Sequence, residues 1–344
     1  MNSTFREIFN SLSKESNEPT LHLNSKVLVI DSMNTFIRSF VMIMHTNPSG
    51  HHIGGLTGFL KSVGFAIRLI RPTRVIFVFD GLGGSTAKRV LFPEYKANRK
   101  LVRLTNWDTF DNREEESDAI TNQIVRLIHY LKCLPVDLVS IQKVEADDVI
   151  GQLAKILPEK MVIMSTDQDF IQLVTDKITV YNPFKKQFIT PDFVKNKYKM
   201  SPLNYLNYKI MSGDVSDNVP GIKGMGPKKA IKLFPELMDD IKYPLDLILE
   251  KSEELKDKNS LYNKISMFKP VLKINEKLMD LHNPLISDTN VQEIQEIIAA
   301  PKHTMEITQF LQMYNDDELG NSIGNINAWL FDCFNYLKSY KKID

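Results

Sequence analysis

Acidic residues recur where apolar runs of this chain end. Lys26-Val-Leu-Val-Ile-Asp31 closes on an aspartate, Thr73–Phe79 is followed by Asp80, and Lys160–Ser165 runs into Thr166-Asp167-Gln168-Asp169. Glu145-Ala-Asp147-Asp148 opens a helical stretch, and Asp214 and Asp217 sit in Gly-Asp-Val-Ser-Asp-Asn. Any one of these is explained by helix capping or by the helix dipole, which favours acids in a first turn. Together they mean more. If the apolar runs are parallel strands, Asp31, Asp80, Asp167 and Asp169 meet at one sheet edge, and Glu145 and Asp148, three apart, share a helix face turned towards it. Carboxylates crowded in this way repel each other. Hard divalent cations relieve the repulsion, and an all-oxygen set without His or Cys suits Mg²⁺ or Mn²⁺. Two such ions about 4 Å apart are the usual means of phosphodiester hydrolysis, one acidifying the attacking water and both stabilising the developing charge.

Two basic segments accompany the acids. Val219-Pro-Gly-Ile-Lys-Gly-Met-Gly-Pro-Lys-Lys-Ala230 places Gly221, Gly224 and Gly226 among Lys223, Lys228, Lys229 and Lys232, with no acid in between. Glycines let a backbone approach a phosphate, Pro227 fits the first turn of a helix, and a helix N-terminus offers free N–H groups. A plain helical turn is the bland alternative to a grip on duplex DNA that ignores base sequence. Between Asp80 and about 118 lies the longest irregular stretch, with Lys88, Arg89, Lys96, Arg99, Lys100 and Arg103 set against Glu94 alone over residues 85–103. Phe92 and Tyr95 interleave as faces for unstacked bases. The stretch reads either as a solvated loop or as an arch over the metals, with Lys96 and Arg99 beside the scissile phosphate.

The elements that must position these residues alternate as strand and helix up to about residue 176. Expected helices lie after Gly55, over about 118–134 and from Glu145, and Thr179–Tyr181 and Gln187–Thr190 are expected to pair as a hairpin. Such a pattern implies a parallel sheet covered on both faces. Helices dominate afterwards, Ala328–Tyr340 being the best amphipathic stretch. The 344 residues contain 43% hydrophobic and 25% charged residues, ordinary for a globular protein with a real core. No apolar run reaches the 18 residues of a membrane span, and no membrane partner is expected. Cys133 and Cys333 are too few for a disulfide framework, so a reducing, cytoplasmic setting is expected. Phe5, Ile8, Phe9 and Leu12 have helical spacing in a polar N-terminal extension over 1–25. A net charge of +1 argues at first against a nucleic-acid enzyme, but it sums 43 basic and 42 acidic residues that are separately clustered.

The order of LVID31, FVFDG81, PEYKANR99, VEADD148, STDQDF170 and GDVSDNVPGIKGMGPKKA230 resembles the bacteriophage and bacterial 5′-nucleases, the flap endonuclease/5′–3′ exonuclease superfamily. The match runs from about Lys26 to Phe234. It implies an α/β, PIN-like nuclease core over 26–200 with an arch at about 84–118, a helix–three-turn–helix DNA-binding region over 201–235, and a mainly helical region over 236–344. It also implies a Mg²⁺-dependent structure-specific nuclease acting on 5′ flaps and nicked or frayed duplex ends in DNA replication, with removal of RNA primers from RNA–DNA hybrids as a further activity. Residue by residue, the resemblance places Asp31, Asp80, Glu145, Asp147, Asp148, Asp167, Asp169, Asp214 and Asp217 in a two-metal cluster. Asp31, Asp80, Asp167, Lys96 and Arg99 become the catalytic residues. Arg38, Arg89, Tyr95, Lys96, Arg99, Gly221, Lys223, Gly224, Gly226, Lys228 and Lys229 become DNA contacts, and Gly58-Phe59 resembles a segment facing the duplex junction. Mn²⁺ as a substitute, K⁺ at the three-turn motif, a single-strand-binding protein or sliding clamp as partner, and a monomer complete what the resemblance implies.

The segment after Arg99, KLVRLTNWDTFDN, differs from short bacterial arches, and residues 236–344 exceed the compact family pattern. No polymerase motifs follow, so a stand-alone nuclease is expected, in the host cytoplasm if the gene is a phage's. Two other readings stay open: a branched-DNA scaffold with idle acids, and a PIN-type ribonuclease.

Overall fold

The apolar runs are rich in β-branched and aromatic residues and short enough to be buried on both sides, and they form strands. The computed structural model describes residues 22–100, 106, 108–301 and 304–341. The expected helix over Phe5–Leu12 lies outside them. One sheet is built from β1 (Lys26–Asp31), β2 (Arg74–Phe79), β3 (Asp137–Ser140), β4 (Lys160–Met164), β5 (Ile178–Asn182) and β6 (Gln187–Ile189). Their order is β3-β2-β1-β4-β5-β6, parallel throughout except for β6, which returns antiparallel on β5 as the expected hairpin. Along β1 the side chains alternate, Val27 and Val29 entering one buried layer and Leu28 and Ile30 the other.

Helices fill both layers. The Leu28 side receives α1 (Ser32–Met42) and α2 (Gly54–Ile70). After α3 (Thr86–Leu91), which begins the long insertion, α4 (Arg113–Lys132) packs on the same side. The Val27 side receives α5 (Ala146–Ile156), α6 (Pro191–Tyr198), α7 (Tyr205–Ser212) and α8 (Pro227–Leu233). The C-terminal hundred residues divide between the two. Helices α9 (Leu245–Glu254), α10 (Ser260–Met267), α11 (Lys269–Met279) and α12 (Asp288–Ala299) extend the Val27 side. Helices α13 (Ile307–Asp316) and α14 (Ile326–Phe334) return to the Leu28 side.

Two boundaries differ from the sequence reading. Helix α4 starts at Arg113 rather than near Asp118, because Asn112 caps it by accepting from the Glu115 N–H and Glu114, Glu115 and Glu116 lie in the first turn. The acidic run thus belongs to a helix, where the dipole favours it. Ala328–Tyr340 is not one helix, since α14 ends at Phe334 and a 3₁₀ turn covers Asn335–Ser339.

The strand order reverses at β1, with β2 on one flank and β4 on the other. Ligand crevices of open parallel sheets form at such a switch point, outside the carboxyl ends of the strands. Register brings the acids level there. Asp31 pairs with Val78 and Ile30 with Met164, so Asp80 and the Ser165–Asp167 segment flank Asp31.

Candidate metal centre and nucleic-acid interface

Asp31 ends β1 and turns straight into α1, its side chain capping Asn34 while the Ser165 hydroxyl donates to it at 2.8 Å. Ser165 also accepts from the Asp167 N–H, and Asn34 accepts from the backbone and hydroxyl of Thr166, so the ends of β1 and β4 are stitched together. Asp80 accepts from the Ala146 N–H at 2.8 Å, which fixes the start of α5 and with it Glu145, Asp147 and Asp148. Only glycine fits after Asp80, because a Cβ at Gly81 would run into the Ile141 carbonyl. Asp169 donates its N–H to Asp167, and Asp214 and Asp217 follow α7 in a tight turn.

All nine carboxylates therefore reach the same edge. Asp31 feels Asp167 and Asp80, Asp147 feels Asp167 and Asp31, and Asp169 feels Asp167 and Asp214. Burial, reinforced by these neighbours, pushes the Asp31 carboxyl up to about 7 and Asp169 up to about 6, and raises Asp147 as well. Burial would raise Glu145 too, yet Lys88 and Lys96 hold it down at about 2. Asp148 stays above the ordinary range because burial outweighs its pairing with Lys88.

Three ammonium groups stand among the acids. Lys88 on α3 is buried and lies 2.9 Å from Glu145 and 3.0 Å from Asp148. Lys96 lies 2.5 Å from Glu145 and 3.8 Å from Asp217, and Lys209 on α7 lies 2.8 Å from both Asp169 and Asp214. Among the described residues, no three His, Cys, Asp or Glu side chains close around one point at metal-holding distance. The donor set nevertheless fits hard divalent ions: it is all oxygen, it outnumbers its lysines, and burial penalises its charge wherever no cation is near. Asp31, Asp80, Asp147 and Asp167 would hold ions at the switch point, and Asp169, Asp214 and Asp217 on the side of α7.

The base of the insertion is docked on the acidic turn. Lys96 has a left-handed backbone (φ 57°) and donates its N–H to Asp217 O at 2.8 Å. Asn98 donates to Val215 O and Asn218 to Glu94 O. Such strain in a non-glycine residue persists only when its surroundings hold it. Tyr95 corrects the sequence reading. Its ring is 3% exposed, not open to bases, and its hydroxyl bridges Glu145 and Asp217 at 3.0 and 3.1 Å. Lys88, counted with the phosphate-facing charges, points inward for the same reason. Arg89 is exposed, with its guanidinium on Tyr95 O. Arg99 lies in the 3₁₀ turn Ala97–Lys100, its side chain outside the described residues. Arg103 also lies outside them.

The glycine–lysine segment is a set of tight turns between α7 and α8. A Cβ on Gly221 would overlap the Ser212 carbonyl, and Gly224 has φ +78°, whereas Gly226 has open space around it. Lys223, Lys228 and Lys229 are exposed, and no ion pair between described residues engages them. Arg38 is exposed on α1, 6.0 Å from the Phe184 ring at the β5–β6 turn. Gly58 packs on Ser39, and Phe59 is fully buried against Phe77, inside the core rather than on a surface.

Sequence reading missed Lys209 and the floor of the site. The cavity edged by Asp147, Asp169, Asp214 and Asp217 rests on Leu278, Met279 and Leu281. Gln172 holds that floor by donating to Met279 O and accepting from the Leu281 N–H, both at 3.0 Å. Lys209 was findable as the only base on the helix leading into Gly213-Asp214; the floor carries no signal beyond ordinary apolar residues.

Comparison with known proteins identifies the family and the fold. Residues 26–199 match the family described as 5′-3′ exonuclease, N-terminal resolvase-like domain, and residues 200–302 match 5′-3′ exonuclease, C-terminal SAM fold. The 5′-3′ exonuclease of Bacillus subtilis is 29% identical over 270 residues, covering 75% of this chain and 84% of its own. DNA polymerase I of the same species is 30% identical over 242 residues, covering 68% of this chain and 26% of its own. The bacteriophage T5 flap endonuclease, solved with DNA and metal ions, shares the fold with a TM-score of 0.60 at 18% identity, covering 85% of this chain and 99% of its own.

Proposed function

Since the chain belongs to the 5′-3′ exonuclease family, we infer that it is a structure-specific 5′ nuclease that hydrolyses phosphodiester bonds at 5′ flaps and duplex 5′ ends, using two divalent metal ions. The observation that carries this reading is the convergence of carboxylates from β1, β2, α5, the end of β4 and the turn after α7 on the sheet's switch point. When bound, the ions would acidify the attacking water and stabilise charge on the phosphate and leaving oxygen. Mg²⁺ is the ion the oxygen set favours, with Mn²⁺ able to replace it.

The chain's own residues do the rest. Lys96 stands at the cluster on a backbone held by Asp217, where its ammonium can meet the scissile phosphate. Lys223, Lys228 and Lys229 are turned to solvent on the glycine-rich turns and suit the phosphates of a duplex. Arg38 extends the basic surface along the carboxyl edge. The DNA polymerase I relative supports a role in replication, and primer RNA in an RNA–DNA hybrid belongs to the same reading. A monomer meeting a single-strand-binding protein or clamp, and K⁺ at the three-turn motif, remain part of it.

The test is a 5′-labelled flap duplex incubated with Mg²⁺ or with EDTA. Cleavage is expected with Mg²⁺ alone, and Asp167→Asn is expected to lower it by a factor on the order of 10² or more while flap binding persists. Retained cleavage by the variant would remove Asp167 from the metal set, and cleavage in EDTA would remove the metals.

A further inference from the structure

Lys209 is a cation of the cluster that the proposed function does not use. It lies on α7, five positions before Asp214, with its side chain 13% exposed and its ammonium 2.8 Å from a carboxylate oxygen of Asp169 and 2.8 Å from one of Asp214. These two acids come from different elements, the turn after β4 and the turn after α7, and Lys209 is what joins them. We propose that Lys209 is a displaceable counter-ion, which holds the Asp169–Asp214 pair closed when metal is absent and competes with the divalent cation for it.

The inference rests on the metal reading above. Two carboxylates that both touch one ammonium converge on a single point, and a divalent cation taking oxygens from the same pair needs that point. Mg²⁺ binds oxygens at about 2.1 Å, closer than an ammonium does, so both cannot be seated together. The partner sets of the three lysines separate their roles. Lys88 is buried in the wall of the same cavity and pairs with Glu145 and Asp148 at the start of α5; Lys96 is tied by its backbone to Asp217. Lys209 pairs instead with Asp169 and Asp214, which come from two different turns and both edge the cavity. Its four-carbon stem lets the ammonium swing out without moving α7. Without such a group, the metal-free pair would repel and spread; with it, the site stays assembled, and metal binding is weakened by the pairing the metal must break.

The experiment measures Mn²⁺ binding to the whole chain without DNA, by calorimetry, for the wild type, Lys209→Met and Lys209→Arg. Lys209→Met is expected to bind Mn²⁺ more tightly by a factor on the order of ten, the value of one charged hydrogen-bonded contact, and Lys209→Arg to stay near wild type. Weaker or unchanged binding by Lys209→Met, with the wild type binding normally, overturns the inference and leaves the metal reading intact. No binding by the wild type overturns both. A second measurement needs no variant: the Lys209 ammonium protons, followed by nitrogen-15 NMR, are expected to be protected from exchange in EDTA and to lose protection when Mg²⁺ is added. Protection that survives saturating Mg²⁺ overturns the proposal.

Discussion

Lys88 and Lys96, at the base of the insertion, carry the same charge as Lys223, Lys228 and Lys229 on the turns after α7, yet their surroundings are opposite. The first two are enclosed by Glu145, Asp148 and Asp217, within 2.5–3.8 Å. The other three are exposed on a glycine-rich backbone in a segment, 219–232, that contains no acid. Burial decides which charges are spent inside the protein and which are left for a polyanion. A basic segment thus does not bind nucleic acid by composition alone: the insertion, richer in cations than the turns, directs two of them at carboxylates of α5 and of the turn after α7.

The comparison can be broken at either end. Lys88→Met strips a buried pair of its cation and is expected to cost about 3–5 kcal/mol in urea unfolding measured in EDTA. A loss below about 1 kcal/mol would make Lys88 as dispensable as a surface lysine. Lys96→Ala is expected to lower the cleavage rate by roughly 10²–10³ while leaving duplex affinity nearly unchanged. Lys228→Ala combined with Lys229→Ala is expected to do the reverse, weakening binding across all sequences and reducing the salt slope of log affinity by about two. If the Lys96 variant and the double variant change affinity equally, the two regions are one interface and the division is wrong.

Legibility followed the same line. The strand-terminal aspartates could be read because strand register and a reversal of strand order leave few places for them to go, and Asp31, Asp80 and Asp167 went there. The α4 start was equally readable, since Asn112 and Glu115 have capping spacing, but a run of acids without an apolar period looks like a loop. Tyr95 and Lys88 could not be placed, because an amphipathic side chain in an irregular segment has no period to say which way it faces. The floor formed by Leu278, Met279 and Leu281 was hidden by distance along the chain: nothing in their apolar character points to a cavity more than 60 residues before them.

His22–Leu23, just ahead of β1, pairs in parallel with Tyr340–Lys341 near the other end of the chain. Both paired segments therefore sit at the amino edge of the sheet, across from the carboxylates. The clasp joins segments from opposite ends of the described chain, so fraying that starts there begins on the edge away from the carboxylates.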